Sequence, residues 1–215
     1  MYKKLLSFAF IILIFFPSAR AATLLDQSFT KKGGGNLASF INECCQFVAQ
    51  TFTAGLSGKL ESVRINVQGI PQASSQLRVS LWSTQQGIPQ DTILSTILPS
   101  GTSLISNKII FPDHFNIHAG SMYALIVNYV KAPPPGFGGL QGFWNGNSDN
   151  QYSGGEMLAY DNQINQWTNQ GDGFDVFFET YVITTPIPAS ICLFFSGLVG
   201  LLSVSRKKKP KLSEI

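Results

Sequence analysis

Between residues 47 and 182 apolar and polar side chains alternate in short runs, a period that no helix can use. In Leu77-Arg78-Val79-Ser80-Leu81-Trp82 the apolar Leu77, Val79 and Leu81 fall on one side, and Leu60 to Val67 repeats the pattern across Ser62. Successive side chains of a strand point to opposite faces, so such runs read as half-buried strands. Phe47 to Thr53 is a third, and Thr92 to Leu98, Lys108 to Phe111, Met122 to Val130, Met157 to Tyr160 and Phe174 to Val182 are further candidates. Gly69, Pro71, Gly87 and Pro89 punctuate the gaps as turn residues. No stretch of the body combines a sustained helical period with caps. The expected fold is all-β, an antiparallel two-sheet sandwich with Leu77, Val79, Leu81, Leu125 and Val127 in its core.

Both ends of the chain carry a different signature. Lys3 and Lys4 precede an apolar run from Leu5 to Phe16, followed by Pro17, Ser18 and Ala19-Arg20-Ala21. Basic, apolar and small residues in that order read as a secretory signal peptide, residues 1–21, cleaved after Ala21. Its apolar core is well short of the roughly 20 residues of a membrane span. At the other end, Pro186-Ile187-Pro188-Ala189-Ser190 leads into an apolar run from Ile191 to Val204, interrupted by Gly197 and Gly200 and closed by Arg206-Lys207-Lys208-Lys209. The prolines end any preceding element. The basic block keeps its own side cytoplasmic, which leaves the body, residues 22–185, outside. A helix from Ile187 to Ser205 is long enough for a thin or locally adapted bilayer.

Motif, helix and basic cluster together resemble a PEP-CTERM sorting signal of the V-P-L-P-A subtype, residues 186–215. Thr185 and Ile187 stand where that subtype has Val and Leu, and the tail runs on to Ile215. The resemblance implies an exosortase and the secretion machinery as partners, processing near Pro188 and Ala189, and delivery to the cell surface or matrix after transient membrane anchoring. A plain C-terminal membrane anchor is the alternative. The body also resembles a bacterial extracellular jelly-roll domain, from about Gln27 to Tyr181. The matching stretches are Gln50-Thr51-Phe52-Thr53-Ala54-Gly55, Leu60 to Val63, Leu77 to Trp82, Gly87-Ile88-Pro89, Met122 to Val127 and Gly173 to Tyr181. That resemblance implies a surface-exposed β-sandwich and no particular activity. Pro133-Pro134-Pro135-Gly136-Phe137-Gly138-Gly139 departs from it and reads as an exposed loop.

Separating the ends changes what charge means. The whole chain carries a formal +3, yet residues 22–185 hold seven Lys and Arg against eleven Asp and Glu, a net of −4. The exported body is acidic and has no basic stripe with interleaved aromatics, so a nucleic-acid partner is excluded. Cys192 belongs to the sorting helix. Adjacent Cys44 and Cys45 read either as small buried hydrophobes or as a strained vicinal bridge.

Chemistry-bearing patterns are sparse, and the expectation is a noncatalytic protein without a cofactor. His114 and His118 lack a third ligand and the glutamate of a zincin. Gly33-Gly34-Gly35 lacks the lysine of a phosphate loop. Nothing in the sequence pairs Glu156 with Asp175 as acid and base. Asp149, Asp161, Asp172 and Asp175 offer oxygen ligands for a structural calcium, at spacings that match no 12-residue calcium loop.

A binding role has more behind it. Between Gly142 and Trp167, the rings of Trp144, Tyr152, Tyr160 and Trp167 lie among Asn145, Asn147, Asn150, Asn162 and Asn165. Rings pack the apolar patches of sugars while amides satisfy hydroxyls. Trp144, Tyr152, Trp167, Asn147 and Asn150 are therefore candidate ligand residues, with exopolysaccharide as the candidate partner. Packing of the same rings in the sandwich core or at its rim is the competing explanation.

Overall fold

In a computed structural model the alternating runs form strands and are joined by others the alternation does not announce. The structure describes residues 21–30, 37–41, 47–68, 76–98, 104–131, 142–148, 152–169 and 173–184, together with 194, 197 and 198. The expected signal helix, the sorting motif Pro186 to Ser190, the basic tail Arg206 to Lys209, the Pro133 to Gly139 loop, Cys44 and Cys45 lie outside the described residues. Phe194, Gly197 and Leu198 are helical. Among the described residues no helix is long and apolar enough to cross a membrane.

Among the described residues fourteen strands follow in chain order: β1 Ala22–Phe29, β2 Leu37–Ile41, β3 Phe47–Thr53, β4 Gly58–Gln68, β5 Gln76–Gln85, β6 Ile88–Ile97 and β7 Leu104–Ile110. The second half holds β8 Asn116–Ile117, β9 Met122–Lys131, β10 Gly142–Asn147, β11 Met157–Asp161, β12 Gln166–Asn169, β13 Asp175–Val176 and β14 Phe178–Thr184. They make two antiparallel sheets. The six-stranded sheet runs β12-β11-β3-β9-β5-β6; the eight-stranded sheet runs β1-β14-β4-β10-β13, with β2 on β10 and β7 and β8 on β4. Thr23–Thr184 is one compact unit.

The two inner faces share one core, as a sandwich requires. Leu77, Val79, Leu81, Leu125 and Val127 are all buried in it, joined by Val48 and Phe52 from β3. Leu60, Val63, Ile65 and Val67 face them from β4. The alternation thus assigned the inward residues of β4, β5 and β9 correctly. It also joined Phe174 to Val182 into one strand, which the structure divides. Phe177 leaves the ladder because its amide donates to the carbonyl of Asn145 at 2.8 Å and its carbonyl accepts from Trp144 Nε1 at 2.9 Å. Residues before it pair with β10, and residues after it pair with β4.

One glycine decides how closely the chain returns to the six-stranded sheet. A Cβ on Gly155 would lie 2.0 Å from the carbonyl oxygen of Thr51, which no side chain tolerates. The close approach lets Glu156 accept from the Thr51 amide at 2.9 Å and lets the Glu156 amide donate to Thr51 Oγ1 at 2.7 Å. Strand β11 is thereby set beside β3, which fixes the faces on which Leu158 and Tyr160 emerge.

Candidate functional site

The structure separates the rings and amides that the sequence grouped. Trp144 is fully buried at 0 % exposure, its indole nitrogen spent on the Phe177 carbonyl, and it offers no face to a ligand. Asn147 is likewise fully buried, at the register position opposite Asp175. Both are corrections to the grouping: β10 pairs with β2, β4 and β13 and turns Trp144 into the shared core. Asn150 lies outside the described residues. Trp167 stands elsewhere, on the outer face of the six-stranded sheet.

Tyr152 belongs to a half-buried polar knot. Its hydroxyl donates to Gln27 Oε1 at 2.6 Å, its amide donates to Asp175 Oδ2 at 2.8 Å, and its ring meets Phe178 edge-on with centroids 5.1 Å apart. Burial and the neighbouring charges of Asp26 and Asp175 push its phenol up to about 12. Asp175 also accepts from Gln50 Nε2 at 2.8 Å, and Gln50 Oε1 accepts from the Val176 amide at 2.9 Å. Nearby, Asp26 Oδ1 accepts from the amides of Gly55 and Leu56 at 2.9 and 2.6 Å, and its other oxygen accepts from Thr180 at 3.3 Å. These bonds tie β1 to the turn after β3 and to β14.

Desolvation raises the pKa of both Asp26 and Asp175, outweighing the hydrogen bonds that lower it. A carboxyl raised on folding stabilises the fold fully below its unfolded pKa and loses that contribution as pH rises through its folded value. Asp26→Asn removes one such group while its amide can still serve Thr180. The stability advantage of the wild type over this variant is therefore expected to grow as pH falls from 8 towards 4. Thermal melts of both proteins across that range measure it, and an advantage that grows with rising pH instead would mean the ionised form is the one the knot favours.

The aspartates considered for calcium are occupied by protein groups where they are described. Asp175 is buried in the knot, and Asp161 accepts from the amides of Gln163 and Ile164 in the β11–β12 turn. Asp149 and Asp172 lie outside the described residues. Among the described residues no three His, Cys, Asp or Glu side chains gather as a metal site. His114 and His118 are exposed. Glu156 is exposed and accepts from Asn169, whereas Asp175 is buried, so the two carboxyls have opposite surroundings.

The two outer faces differ in chemistry. On the eight-stranded sheet, Glu179, Arg64 and Lys108 are register neighbours. Arg64 pairs with Glu179 at 3.4 Å and Lys108 with Glu61 at 2.9 Å, and both cations lie over the Tyr181 ring. Exposed pairs of this kind contribute little to stability and describe a solvated surface.

The outer face of the six-stranded sheet is aromatic. One row across the strands reads Trp167, Tyr160, Phe47, Asn128, Arg78, Ile97. The next reads Asn169, Leu158, Ala49, Ile126, Ser80, Ser95, and a third contains Thr51, Ala124, Trp82 and Thr92. Strands β5 and β12 are four steps apart, about 19 Å at the usual strand spacing. Even so, the rings of Trp82 and Trp167 approach to 6.5 Å between centroids. They lean towards each other over the buried Ala49 and Ala124, whose small side chains leave the room. Phe47 meets Trp82, Tyr160 and Trp167 edge-on at 6.5, 5.7 and 6.4 Å.

All four rings are half-buried. The indole nitrogen of Trp82 donates to Ser80 Oγ at 2.9 Å, so hydrogen bonding is met within the protein and the ring surface remains for contact. Sequence grouping caught Trp167 and Tyr160 and missed Phe47 and Trp82, which lie far away along the chain. The signal was present for Trp82: the alternation that turns Leu81 inward turns Trp82 outward. No protein-family model matches this chain, and no curated protein matches it.

Proposed function

We propose that this chain is an exported, noncatalytic cell-surface or matrix protein with a jelly-roll-like body, sorted through a PEP-CTERM-type tail, and that its sandwich binds carbohydrate. The observation that carries the binding half is the contrast between the outer faces. One carries two ion pairs whose cations lie over Tyr181; the other presents Phe47, Trp82, Tyr160 and Trp167, with Arg78 and Asn169 in the same rows. Rings held on strands are a rigid stacking surface, with amides and hydroxyls at its margins for sugar hydroxyls. The export half rests on the order of signal peptide, Pro186 to Ser190 motif, apolar run and basic cluster.

Two measurements test the two halves separately. Intact mass of the protein recovered from an exosortase-positive host is expected to begin at Ala22 and to end near Pro188 or Ala189. Recovery of a chain ending at Ile215 would make the tail a retained anchor. Retention of the wild-type protein on a panel of immobilised polysaccharides tests binding, and failure on every member would remove the carbohydrate reading while leaving the export reading standing.

A further inference from the structure

The aromatic row does not end in an aromatic. Beyond Phe47 it passes through Asn128 to Arg78 and closes on Ile97. Arg78 is half-buried, and among the described residues neither ion pair involves it, both lying on the other sheet. A cation on an acidic body is ordinarily found beside a carboxylate, and here none occupies the adjacent positions of the row. Among the acidic groups of this sheet, Glu156 accepts from Asn169, Asp161 accepts from its turn amides, and Asp91 on β6 is exposed. Arg78 therefore presents a planar fork of donors, suited to a bidentate carboxylate, on the same face as the stacking rings.

Resting on the carbohydrate reading above, we infer that the ligand is an acidic polysaccharide bearing uronic acid carboxylates, laid across the strands. The rings of Trp82 and Trp167 stack on its sugars and Arg78 pairs with a carboxylate. Geometry asks for a polymer rather than a single sugar. Arg78 is two strands from Phe47 and four from Trp167, roughly 10 and 19 Å at ordinary strand spacing, more than one ring spans. The net acidity of the body disfavours polyanions in general, so selection falls to this local pairing rather than to bulk charge.

Calorimetric titration of the full-length protein with polygalacturonate and with the same polymer after carboxyl reduction tests the inference. The wild type is expected to bind the acidic form about tenfold more tightly, the usual scale of one charge-assisted pair. Arg78→Gln should erase that difference while keeping the affinity for the reduced polymer, and Arg78→Lys should restore part of it. Unchanged thermal unfolding of both variants keeps the comparison one of recognition. Equal wild-type affinity for the two polymers, or an acid preference that survives Arg78→Gln, overturns the role of Arg78 and leaves carbohydrate binding intact. Dextran sulfate bound as tightly as the polyuronate overturns the carboxylate assignment. Binding of neither polymer, with a neutral glycan retained on the panel, overturns the acidic-ligand inference alone; an empty panel removes the reading beneath it.

Discussion

Trp144→Ala is expected to lower the stability of the sandwich by about 3–5 kcal/mol, the range for truncating a buried aromatic side chain. The indole is among the largest fully buried side chains, lying in the core shared by both sheets. Its removal leaves a cavity and also strips the Phe177 carbonyl of its donor at the point where β13 gives way to β14. Trp144→Phe separates the two effects: it retains most of the volume and loses the hydrogen bond, so a smaller loss of about 1–3 kcal/mol is expected. Denaturant unfolding of the wild type and both variants measures this. A loss below about 1 kcal/mol for the alanine variant would contradict a core position for the ring, since even partial collapse of such a site costs more.

Trp82→Ala with Trp167→Ala is expected to show the opposite pattern, abolishing polysaccharide binding at a modest cost in stability. A central aromatic contact contributes about 2 kcal/mol, or roughly thirtyfold in affinity. The two rings touch, so their effects will not simply add; the pair should still weaken binding at least a hundredfold. Each ring is half-buried and covers the small Ala49 and Ala124 floor on the outside of the sheet rather than filling the shared core, so each truncation should cost about 2 kcal/mol, less than for Trp144. Affinity for a polysaccharide that the wild type retains, measured beside denaturant unfolding, distinguishes the roles. A folded double variant that binds like the wild type would make the cluster a packing feature that pins the β11–β12 hairpin to the sheet.

The two experiments bear on rings of the same chemical type, and their different outcomes trace to strand register. Tyr160 opposes Phe47 and Trp167, while Trp144 opposes Ser39 and Val67 across β10. A shift of one residue in any of these pairings would carry a ring to the other face. Local enrichment of aromatic residues and asparagines between Gly142 and Trp167 does not encode that register. Of the candidate ligand residues, Trp167 emerged on the outer face, Tyr152 in the polar knot, and Trp144 and Asn147 in the interior.

Much of the sandwich was legible before any coordinate, because alternation is a local property. Leu77, Val79, Leu81, Leu125 and Val127 had to share an inner face once their segments were extended, and hydrophobic burial selects that face regardless of partner. The short strands β8 and β12, and β10 with its two glycines, carry little alternation and could not be found that way. Nor could the break at Phe177, since it depends on hydrogen bonds to β10, a strand more than thirty residues away in sequence.

By itself the sequence determined an all-β body with a defined set of inward residues, an acidic charge on that body, and basic charge concentrated in the terminal segments. Each follows from residue order or composition alone. Only the tertiary structure decided which distant residues share a surface. Phe47, Trp82, Tyr160 and Trp167 come together because β3, β5, β11 and β12 lie in one sheet in an order unrelated to the chain, over a floor that small side chains leave open. Arg78 joins them by register across β9. Long-range strand pairing is chosen by the packing of the whole core, and no local segment contains that information.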